Sequence, residues 1–341
     1  MQNTIDENLE PAAQLWVGLD VSKDTLDACL LRPNGKSTHK QFPNDAGGFA
    51  KLLRWVQHSA CEQIVHFCLE ATGAYSQALV LFLAQAGQRV SVVNPARIRF
   101  FGLAQAQGNK TDKADAALIA RFCRQEAPEL WRVAAPEMQL LMALMRRLHA
   151  VQELAVQEKN RLSVPSQPAV VIESIENAIA YLEAEIKRLQ QQIRDHINGS
   201  PDLKRDSKLL QSIPGIGELT SWDLLAELPE VSQFNSAQSV AAYAGLAPRE
   251  HRSGSSVRKH TRLSKQGNTR LRKAMYFPAV TGITWNPLVK AHYERLVKAG
   301  KPRMVALAAC MRKMLMIVYG VLKHQKPFDP SWQSQPLHNP S

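Results

Sequence analysis

The sequence predicts an N-terminal mixed α/β domain, then a pair of long helices, then a basic helical domain. Three observations predict this. Short apolar strands alternate with amphipathic helices, a heptad pattern follows, and the excess positive charge lies near the C-terminus. We place the three domains at residues 15–131, 136–199 and 202–327. Residues 1–14 are predicted to be a polar extension, and residues 328–341, rich in Pro, Ser and Gln, a disordered tail.

The elements of the first domain follow from apolar runs bounded by turn residues. We predict strands at 15–20, 25–31, 37–42, 63–70 and 89–93, and helices at 49–58, 75–86 and 112–124. Asn94-Pro95 is expected to end the fifth strand. Three strands joined by hairpins, followed by alternating helices and strands, are typical of an RNase H-like sheet.

The middle region carries a heptad stripe. Its apolar positions are separated by alternating steps of three and four residues: Ile172, Ile175, Ile179, Leu182, Ile186, Leu189 and Ile193. A similar stripe precedes it, and Pro165 and Pro168 separate the two. The sequence therefore predicts a helical hairpin or coiled coil. Packing within one chain and an arm for oligomerisation or DNA binding remain open alternatives.

The positive charge is segregated along the chain. Residues 1–200 contain 21 Lys and Arg against 21 Asp and Glu, whereas residues 201–341 contain 21 against 9, which accounts for the whole net charge of +12. Segregated positive charge is typical of proteins that bind nucleic acid. A surface that merely keeps the protein soluble is the alternative.

Four carboxylates are the candidate catalytic and metal-binding residues. Asp20 and Glu70 end apolar strands, where an ionised carboxylate needs a cation or hydrogen bonds. Asp112 and Asp115 are three residues apart, on one face of a predicted helix. Such oxygen ligands suit Mg²⁺ or Mn²⁺ in phosphoryl transfer. Taken singly, Asp112 and Asp115 could simply stabilise a helix N-terminus.

Two further acids, Asp24 and Asp27, are weaker candidates. They follow the first strand into a turn and the next strand.

A basic, serine-containing segment is the second candidate site. Residues 249–273 contain nine Lys and Arg and one Glu, and Gly254 beside Ser253, Ser255 and Ser256 predicts a flexible loop. A hydroxyl there could attack DNA, or could simply bind phosphate. The candidate phosphate contacts are Arg249, Arg252, Arg258, Lys259, Arg262 and Lys265. His251 could shuttle a proton or bind phosphate.

The segment Ile213-Pro-Gly-Ile-Gly217 lies between two predicted helices, at 203–211 and 219–228. It resembles a helix-hairpin-helix turn, in which Gly215 and Gly217 let backbone N–H groups approach a phosphate. An ordinary turn between helices is the alternative.

The remaining composition excludes other classes. No run of eighteen apolar residues predicts a membrane span, and the polar N-terminus has no secretory-signal pattern. The five cysteines have no CxxC spacing, which predicts reduced, buried thiols rather than a zinc site. We therefore expect a cytoplasmic protein that acts at the bacterial nucleoid.

Seven segments together resemble the one-ten family of insertion-sequence transposases and the related Piv-type DNA invertases. They span roughly residues 15–327, in the family's order: Gly18-Leu-Asp-Val-Ser-Lys23, Leu69-Glu-Ala-Thr-Gly73, Val92-Val-Asn-Pro95, Lys110-Thr-Asp-Lys-Ala-Asp115, Ile213-Pro-Gly-Ile-Gly217, Ala244-Gly-Leu-Ala-Pro248 and Ser253-Gly-Ser-Ser256.

The resemblance implies a RuvC-like (RNase H-like) domain whose DEDD tetrad falls on the four acids, and a nucleophilic serine at Ser253. It also implies a phosphoserine link to DNA and a structured noncoding bridge RNA that pairs with donor and target DNA. Homo-oligomers, dimeric or tetrameric, are implied as well, with the acids of one subunit completing the serine site of another. Piv-type members need not use the RNA in the same way.

Three other functions remain open on the residues alone. A RuvC-like nuclease would use the same acids to activate water. An actin-like ATPase or sugar kinase shares the fold, but the segment after Asp20 lacks the glycine-rich phosphate turn of that class. A DNA- or RNA-binding protein without catalysis would not need the acids.

Overall fold

The computed structural model describes residues 14–60, 63–71, 74–105, 112–253, 257–264 and 266–331. The chain divides into two compact units, residues 1–133 and residues 134–341. The predicted polar extension lies outside the described residues except for Gln14, and so does the predicted tail beyond Ser331.

The N-terminal unit is built on a five-stranded sheet. Its elements are β1 (Gln14–Val21), β2 (Thr25–Leu31), β3 (Ser37–Pro43), α1 (Ala46–Ala60), β4 (Ile64–Glu70), α2 (Ala74–Gln85), β5 (Arg89–Val93), α3 (Pro95–Ala104) and α4 (Asp112–Glu126). The strand order is β3-β2-β1-β4-β5. β1, β2 and β3 are antiparallel, whereas β4 runs parallel to β1 and β5 to β4. The predicted mixed sheet is confirmed, and its order is consistent with an RNase H-like fold.

Helix α3 was missing from the sequence prediction, which took Asn94-Pro95 only as the end of a strand. The Asn94 side chain accepts a hydrogen bond from the Ala96 N–H at 2.9 Å, and Pro95 is the first helical residue. Asparagine caps helix N-termini well, and proline fits the first position because no hydrogen-bonded N–H is lost there. The same dipeptide therefore both ends β5 and starts α3.

The two faces of the sheet carry different helices. Leu15, Val17 and Leu19 of β1 pack in one core with side chains of α1 and α2. The alternate residues face the other side, where Cys68 of β4 packs with side chains of α3 and α4. Since strand side chains alternate between faces, Gly18, Asp20, Cys68 and Glu70 all belong to the α4 side.

Helix α4 runs antiparallel to β1. The Arg124 guanidinium lies 5.3 Å from the centre of the Trp16 ring. Two residues further along β1, a side chain on Gly18 would overlap the backbone of Ala116 and Ala120. β1 advances roughly 3.3 Å per residue and a helix about 1.5 Å. The same progression brings the first turn of α4 level with Asp20.

We expect Gly18→Ala to destabilise the protein by about 3 kcal/mol or more, because a methyl group would collide with helix backbone that has no room to retreat. Urea unfolding measures the change. Gly47→Ala is the matched control, since its nearest neighbour is the flexible Asp45 side chain at 3.3 Å. Equal stability of the two variants would contradict the close packing of α4 on β1.

A second prediction concerns His66, which is 3% exposed on β4. Burial, with Arg89 nearby, lowers the pKa of His66 from 6.5 to about 4. Between these values the unfolded chain binds a proton that the folded chain does not, so the free energy of unfolding falls as pH drops from 6.5 to 4. The full loss is about 3 kcal/mol. Urea unfolding between pH 7 and pH 4 should show a flatter profile for His66→Gln than for the wild type; parallel profiles would refute the prediction.

The described part of the C-terminal unit is helical apart from one β-hairpin. Its elements are α5 (Pro136–Leu162), α6 (Ala169–Gly199), α7 (Pro201–Gln211), α8 (Glu218–Glu227), a 3₁₀ turn (Val231–Gln233), α9 (Ala237–Tyr243), β6 (Pro248–Ser253), β7 (Val257–Leu263), α10 (Thr269–Ala274), α11 (Tyr276–Trp285), α12 (Pro287–Lys298) and α13 (Arg303–His324).

Helices α5 and α6 form the predicted helical hairpin. His196 Nε2 lies 2.7 Å from the Glu137 carbonyl oxygen, and Lys159 Nζ lies 2.7 Å from Glu183 Oε1, so the helices are antiparallel. Ile175, Leu189 and Ile193 of the heptad stripe are buried, whereas its other four positions are partly buried. A coiled coil with a second chain stays a prediction.

The β6–β7 hairpin corrects the prediction of a wholly helical C-terminal domain. Apolar periodicity does not indicate this hairpin because its strands carry charged residues instead of alternating apolar ones. The available signal was a short glycine-containing stretch between two runs of similar length. The loop itself, residues 254–256, lies outside the described residues.

Helix α13 is long and apolar enough to cross a membrane by length and composition alone. Many of its apolar side chains, among them Cys310, Met314 and Val318, are buried in the core of the C-terminal unit, as in a core helix of a globular protein. Cys29, Cys68, Cys123 and Cys310 are buried without disulfides, as predicted; Cys61 lies outside the described residues.

Candidate functional site

Asp20 and Glu70 stand beside each other at one edge of the sheet. β1 and β4 are parallel neighbours with Leu19 paired to Leu69, so the next residues on each strand are these two acids. Both are partly buried. Because paired residues of parallel strands face the same side, both belong to the face that α4 covers.

The other two predicted acids, Asp112 and Asp115, lie in the first turn of α4. Because α4 packs on Gly18, this turn is level with Asp20. Asp115 is partly buried and directly precedes Ala116, which contacts the Gly18 backbone. Asp112 is the first residue of the helix, and its side chain is not among those described. The fold therefore brings the strand acids and the start of α4 to the same end of the sheet.

Asp27, predicted only as a weaker candidate, is paired with Asp20 in the sheet. It is the cross-strand partner of Asp20 and is only 6% exposed. Gln41 Nε2 donates a hydrogen bond to Asp27 Oδ2 at 2.9 Å, and His39 Nε2 lies 3.1 Å from Oδ1 without hydrogen-bond alignment. Both oxygens of Asp27 are contacted by residues of β3, and the cross-strand register places this carboxylate beside Asp20.

The donor chemistry of this edge suits a hard divalent cation, since Mg²⁺ and Mn²⁺ prefer carboxylate oxygens. Within the described side chains no three Asp, Glu, His or Cys residues are close enough to hold a metal ion. Asp112 falls outside that comparison because its side chain is not described. The oxygen chemistry of the four acids suits such an ion, but the described side chains of Asp20, Glu70 and Asp115 are not close enough together to hold one.

Ser253 is the last residue of β6, at the far end of the hairpin from its base. It lies five positions after Pro248, roughly 17 Å along an extended strand. Ser255, Ser256 and Lys265 lie outside the described residues.

Basic residues occupy paired positions in the backbone register of the β-hairpin. Arg249 pairs with Arg262, His251 with Lys259, and Arg252 with Arg258. Like charges directly opposite each other destabilise a sheet, and an isolated two-stranded sheet is marginal by itself. A polyanion bound along the hairpin would relieve this repulsion.

Hydrogen bonds at its base anchor the hairpin to the helices. The Ser264 N–H donates to the Ala247 carbonyl at 2.9 Å, and the Asn268 N–H donates to the Tyr243 carbonyl at 2.7 Å. The Asn268 side chain also donates to Glu227 Oε2 at 2.9 Å. The base is therefore held by α8 and α9.

The turn between α7 and α8 contains Gly215 and Gly217 in different settings. Gly215 has φ +104°, and a Cβ there would lie 2.8 Å from the Pro278 carbonyl oxygen of α11. Close packing on α11 therefore explains why glycine occupies position 215. This agrees with the alternative that the segment is an ordinary turn between two helices. Gly217 is exposed, precedes α8 and has open space where a Cβ would be, so an approaching phosphate would meet no side chain there.

Two family models match the chain. Residues 17–164 match a transposase model of the DEDD type from the IS110 group, a range that includes all four candidate acids. Residues 207–294 match the model described as the transposase IS116/IS110/IS902 family, a range that includes Ser253.

Whole-length similarity extends to named proteins. The pilin gene-inverting protein of Moraxella lacunata is 35% identical over 321 residues, which are 93% of this chain and 98% of the relative. The pilin gene-inverting protein of Moraxella bovis is 34% identical with the same coverage. The transposase for insertion sequence element IS1111A of Coxiella burnetii is 22% identical over 285 residues, 75% of this chain and 74% of the relative.

Proposed function

This chain belongs to the IS110 family of transposases, enzymes that cut and recombine DNA, and we propose that it does so with two half-sites. One half-site is the acidic edge of Asp20, Glu70, Asp112 and Asp115. The other is the basic hairpin that carries Ser253. The single observation that carries the proposal is the shared sheet edge of Asp20 and Glu70, which the start of α4 adjoins.

The four acids would hold Mg²⁺ or Mn²⁺. When bound, such an ion supplies charge neutralisation at the scissile phosphate and lowers the pKa of an attacking hydroxyl. Asp20 and Glu70 provide the rigid part of this site because each ends a buried strand. Asp27 would add negative charge beside Asp20 from the neighbouring strand, which a divalent cation would offset.

Ser253 would supply the nucleophile. Its Oγ attacks the phosphorus, a phosphoserine ester forms, and one deoxyribose oxygen leaves with a proton. A sugar hydroxyl of the partner strand then attacks the phosphoserine and restores the serine hydroxyl. Strands are exchanged in this way without free ends.

The hairpin and the α7–α8 turn would hold the DNA backbone. Cations along β6 and β7 neutralise phosphates, and exposed backbone at Gly217 admits a phosphate at the start of α8. The facing cationic pairs of the hairpin support this role because a phosphate backbone offsets their repulsion. The assigned phosphate contacts are Arg249, Arg252, Arg258, Lys259, Arg262, Lys265 and Gly217, whereas Gly215 packs on α11.

A bridge RNA is the guide that we propose for target choice. A second function, DNA inversion without an RNA guide, is favoured by the names of the Moraxella relatives, which are gene-inverting proteins. Expression of the protein with its native flanking DNA, followed by sequencing of copurified RNA, separates the two. A discrete structured RNA supports guidance, and its absence supports inversion.

Mixing two inactive variants tests the two half-sites. We expect Asp20→Asn and Ser253→Ala proteins to be inactive alone and to regain strand exchange when coexpressed, because the acids of one subunit would complete the serine site of another. Coexpression of Asp20→Asn with Glu70→Gln is the control and should stay inactive. No recovery in the first mixture would contradict a site shared between subunits.

A further inference from the structure

The outer face of α11 exposes a set of aromatic and uncharged side chains. Phe277 is 75% exposed and Trp285 72%, while Tyr276 and Val280 are 39% and 41% exposed. At about 100° per residue these positions occupy one half of the helix. The rings of Tyr276 and Phe277 contact edge to face, with centroids 5.3 Å apart. The fold does not require such rings, because the opposite half of α11 makes the contacts with the core.

The surroundings of this face are strongly basic. Residues 269–324 contain eleven lysines and arginines and a single acidic residue, Glu294. Lys273, at the end of α10, is exposed three residues before Tyr276, and Arg303 is exposed at the start of α13. Helices α10, α12 and α13 all pack against α11. A partner that binds over the rings should therefore carry negative charge.

The inner face of α11, opposite the aromatic rings, packs against the α7–α8 turn. Gly215 of that turn lies against the Pro278 carbonyl and the Gly282 nitrogen of α11. Trp285 directly precedes Asn286, a fully buried residue whose Nδ2 lies 3.5 Å from the Pro214 carbonyl oxygen of the turn. The platform is therefore carried by a helix that packs on the turn assigned to the nucleic-acid backbone.

We propose that the α11 face is a stacking platform for unpaired bases of a nucleic-acid strand. Base stacking on exposed aromatic rings, with cations along the backbone path, is how proteins hold single strands. A paired duplex does not fit this role because its base faces are already stacked on one another. The platform requires neither the acids nor Ser253, although it rests on the proposed function for its nucleic-acid partner.

A second copy of the chain is the competing occupant. Exposed aromatic faces occur at protein interfaces. However, two copies meeting through α11 would bring two basic rims together, where like charges cost several kcal/mol. The charge around the rings therefore favours nucleic acid.

Equilibrium binding to labelled oligonucleotides tests the platform. Fluorescence anisotropy with oligo(dT), oligo(U) and a DNA duplex, over a range of salt concentrations, would compare the wild type with Phe277→Leu and Trp285→Ala. We expect each variant to bind the single strands roughly 5- to 100-fold more weakly and the duplex unchanged. The salt slope should stay constant in both, whereas Lys273→Ala should reduce it by about 0.7.

Two controls separate stacking from damage to the fold. Trp285→Phe keeps a ring and should restore most of the affinity lost in Trp285→Ala. Tyr181→Ala removes a ring that is 69% exposed on α6 and is not part of the platform. This variant should bind all the oligonucleotides with wild-type affinity. The ratio of oligo(dT) to oligo(U) affinity tells which kind of strand the platform prefers.

Unchanged single-strand affinity in both ring variants would overturn the platform. A second result would also overturn it: Trp285→Ala loses self-association in sedimentation experiments but binds oligonucleotides as the wild type does. That result would assign the α11 face to contact with a second copy of the chain. A protein that binds single strands through these rings but never links covalently to DNA would refute the proposed serine chemistry and leave the platform standing. Conversely, covalent linkage to DNA together with single-strand binding that does not depend on the rings would refute the platform and leave the serine chemistry standing.

Discussion

The Asp20→Asn variant is expected to cut DNA at least ~1,000-fold more slowly than the wild type, because one of the strand-end oxygen ligands is lost and several kcal/mol of transition-state stabilisation go with it. Its free energy of unfolding should stay within about 1 kcal/mol of the wild type, since the amide has nearly the same shape. Cleavage of native flanking DNA and urea unfolding measure the two effects.

Asp24→Asn is the matched control for Asp20→Asn. Asp24 is four residues further on and exposed, in the turn after β1, so its change should leave cleavage within about threefold, as for a surface site away from the chemistry. Calorimetric titration with Mn²⁺ gives a readout besides activity, because affinity should fall in Asp20→Asn and not in Asp24→Asn. Equal cleavage by both variants would show that Asp20 takes no part in the reaction, and the proposed acidic half-site would be wrong.

The Ser253→Ala variant is expected to lose covalent attachment to DNA and to slow strand exchange by at least roughly 10⁴-fold, as for the loss of a catalytic nucleophile. The fold should be retained, because Ser253 is the last residue of β6, beyond the bonds that anchor the hairpin base. Denaturing gels of protein–DNA mixtures measure the adduct, and a recombination assay measures exchange.

Ser255→Ala and Ser256→Ala are the natural controls for Ser253→Ala, since sequence chemistry alone does not rank the three serines. Both should keep the adduct. If Ser253→Ala still nicked DNA at the wild-type rate, water would be the nucleophile and the protein would act as a RuvC-like nuclease. If Ser255→Ala alone lost the adduct, the nucleophile would be misassigned within the same hairpin.

Much of the N-terminal unit was predictable because its strands, apart from the polar and largely exposed β3, are short apolar runs. Asp20 and Glu70 stood out for the same reason, as charged residues at the ends of such runs. Asp27 was underestimated because its burial depends on the cross-strand register with Asp20, which no local pattern reveals.

The C-terminal hairpin was not predictable from apolar periodicity. The strand from Pro248 to Ser253 has no apolar alternation, and its pairing with Val257–Leu263 brings like charges together. Like charges at paired positions are unfavourable for an isolated sheet. A polyanionic partner would offset this repulsion, and such a partner cannot be inferred from apolar periodicity. Gly215 was likewise read as a phosphate contact, whereas its packing on Pro278 could be seen only in the tertiary structure.

The central claim is that the acids and Ser253 act in one reaction, and mapping of the covalent link tests it most directly. The wild-type protein would be trapped on a nicked DNA substrate with Mg²⁺, digested with protease and analysed by mass spectrometry. We predict a nucleotide phosphate attached to Ser253 that does not form when the same experiment is done with Asp20→Asn. A link at another residue, or a Ser253 link that forms equally well without Asp20, would contradict the account.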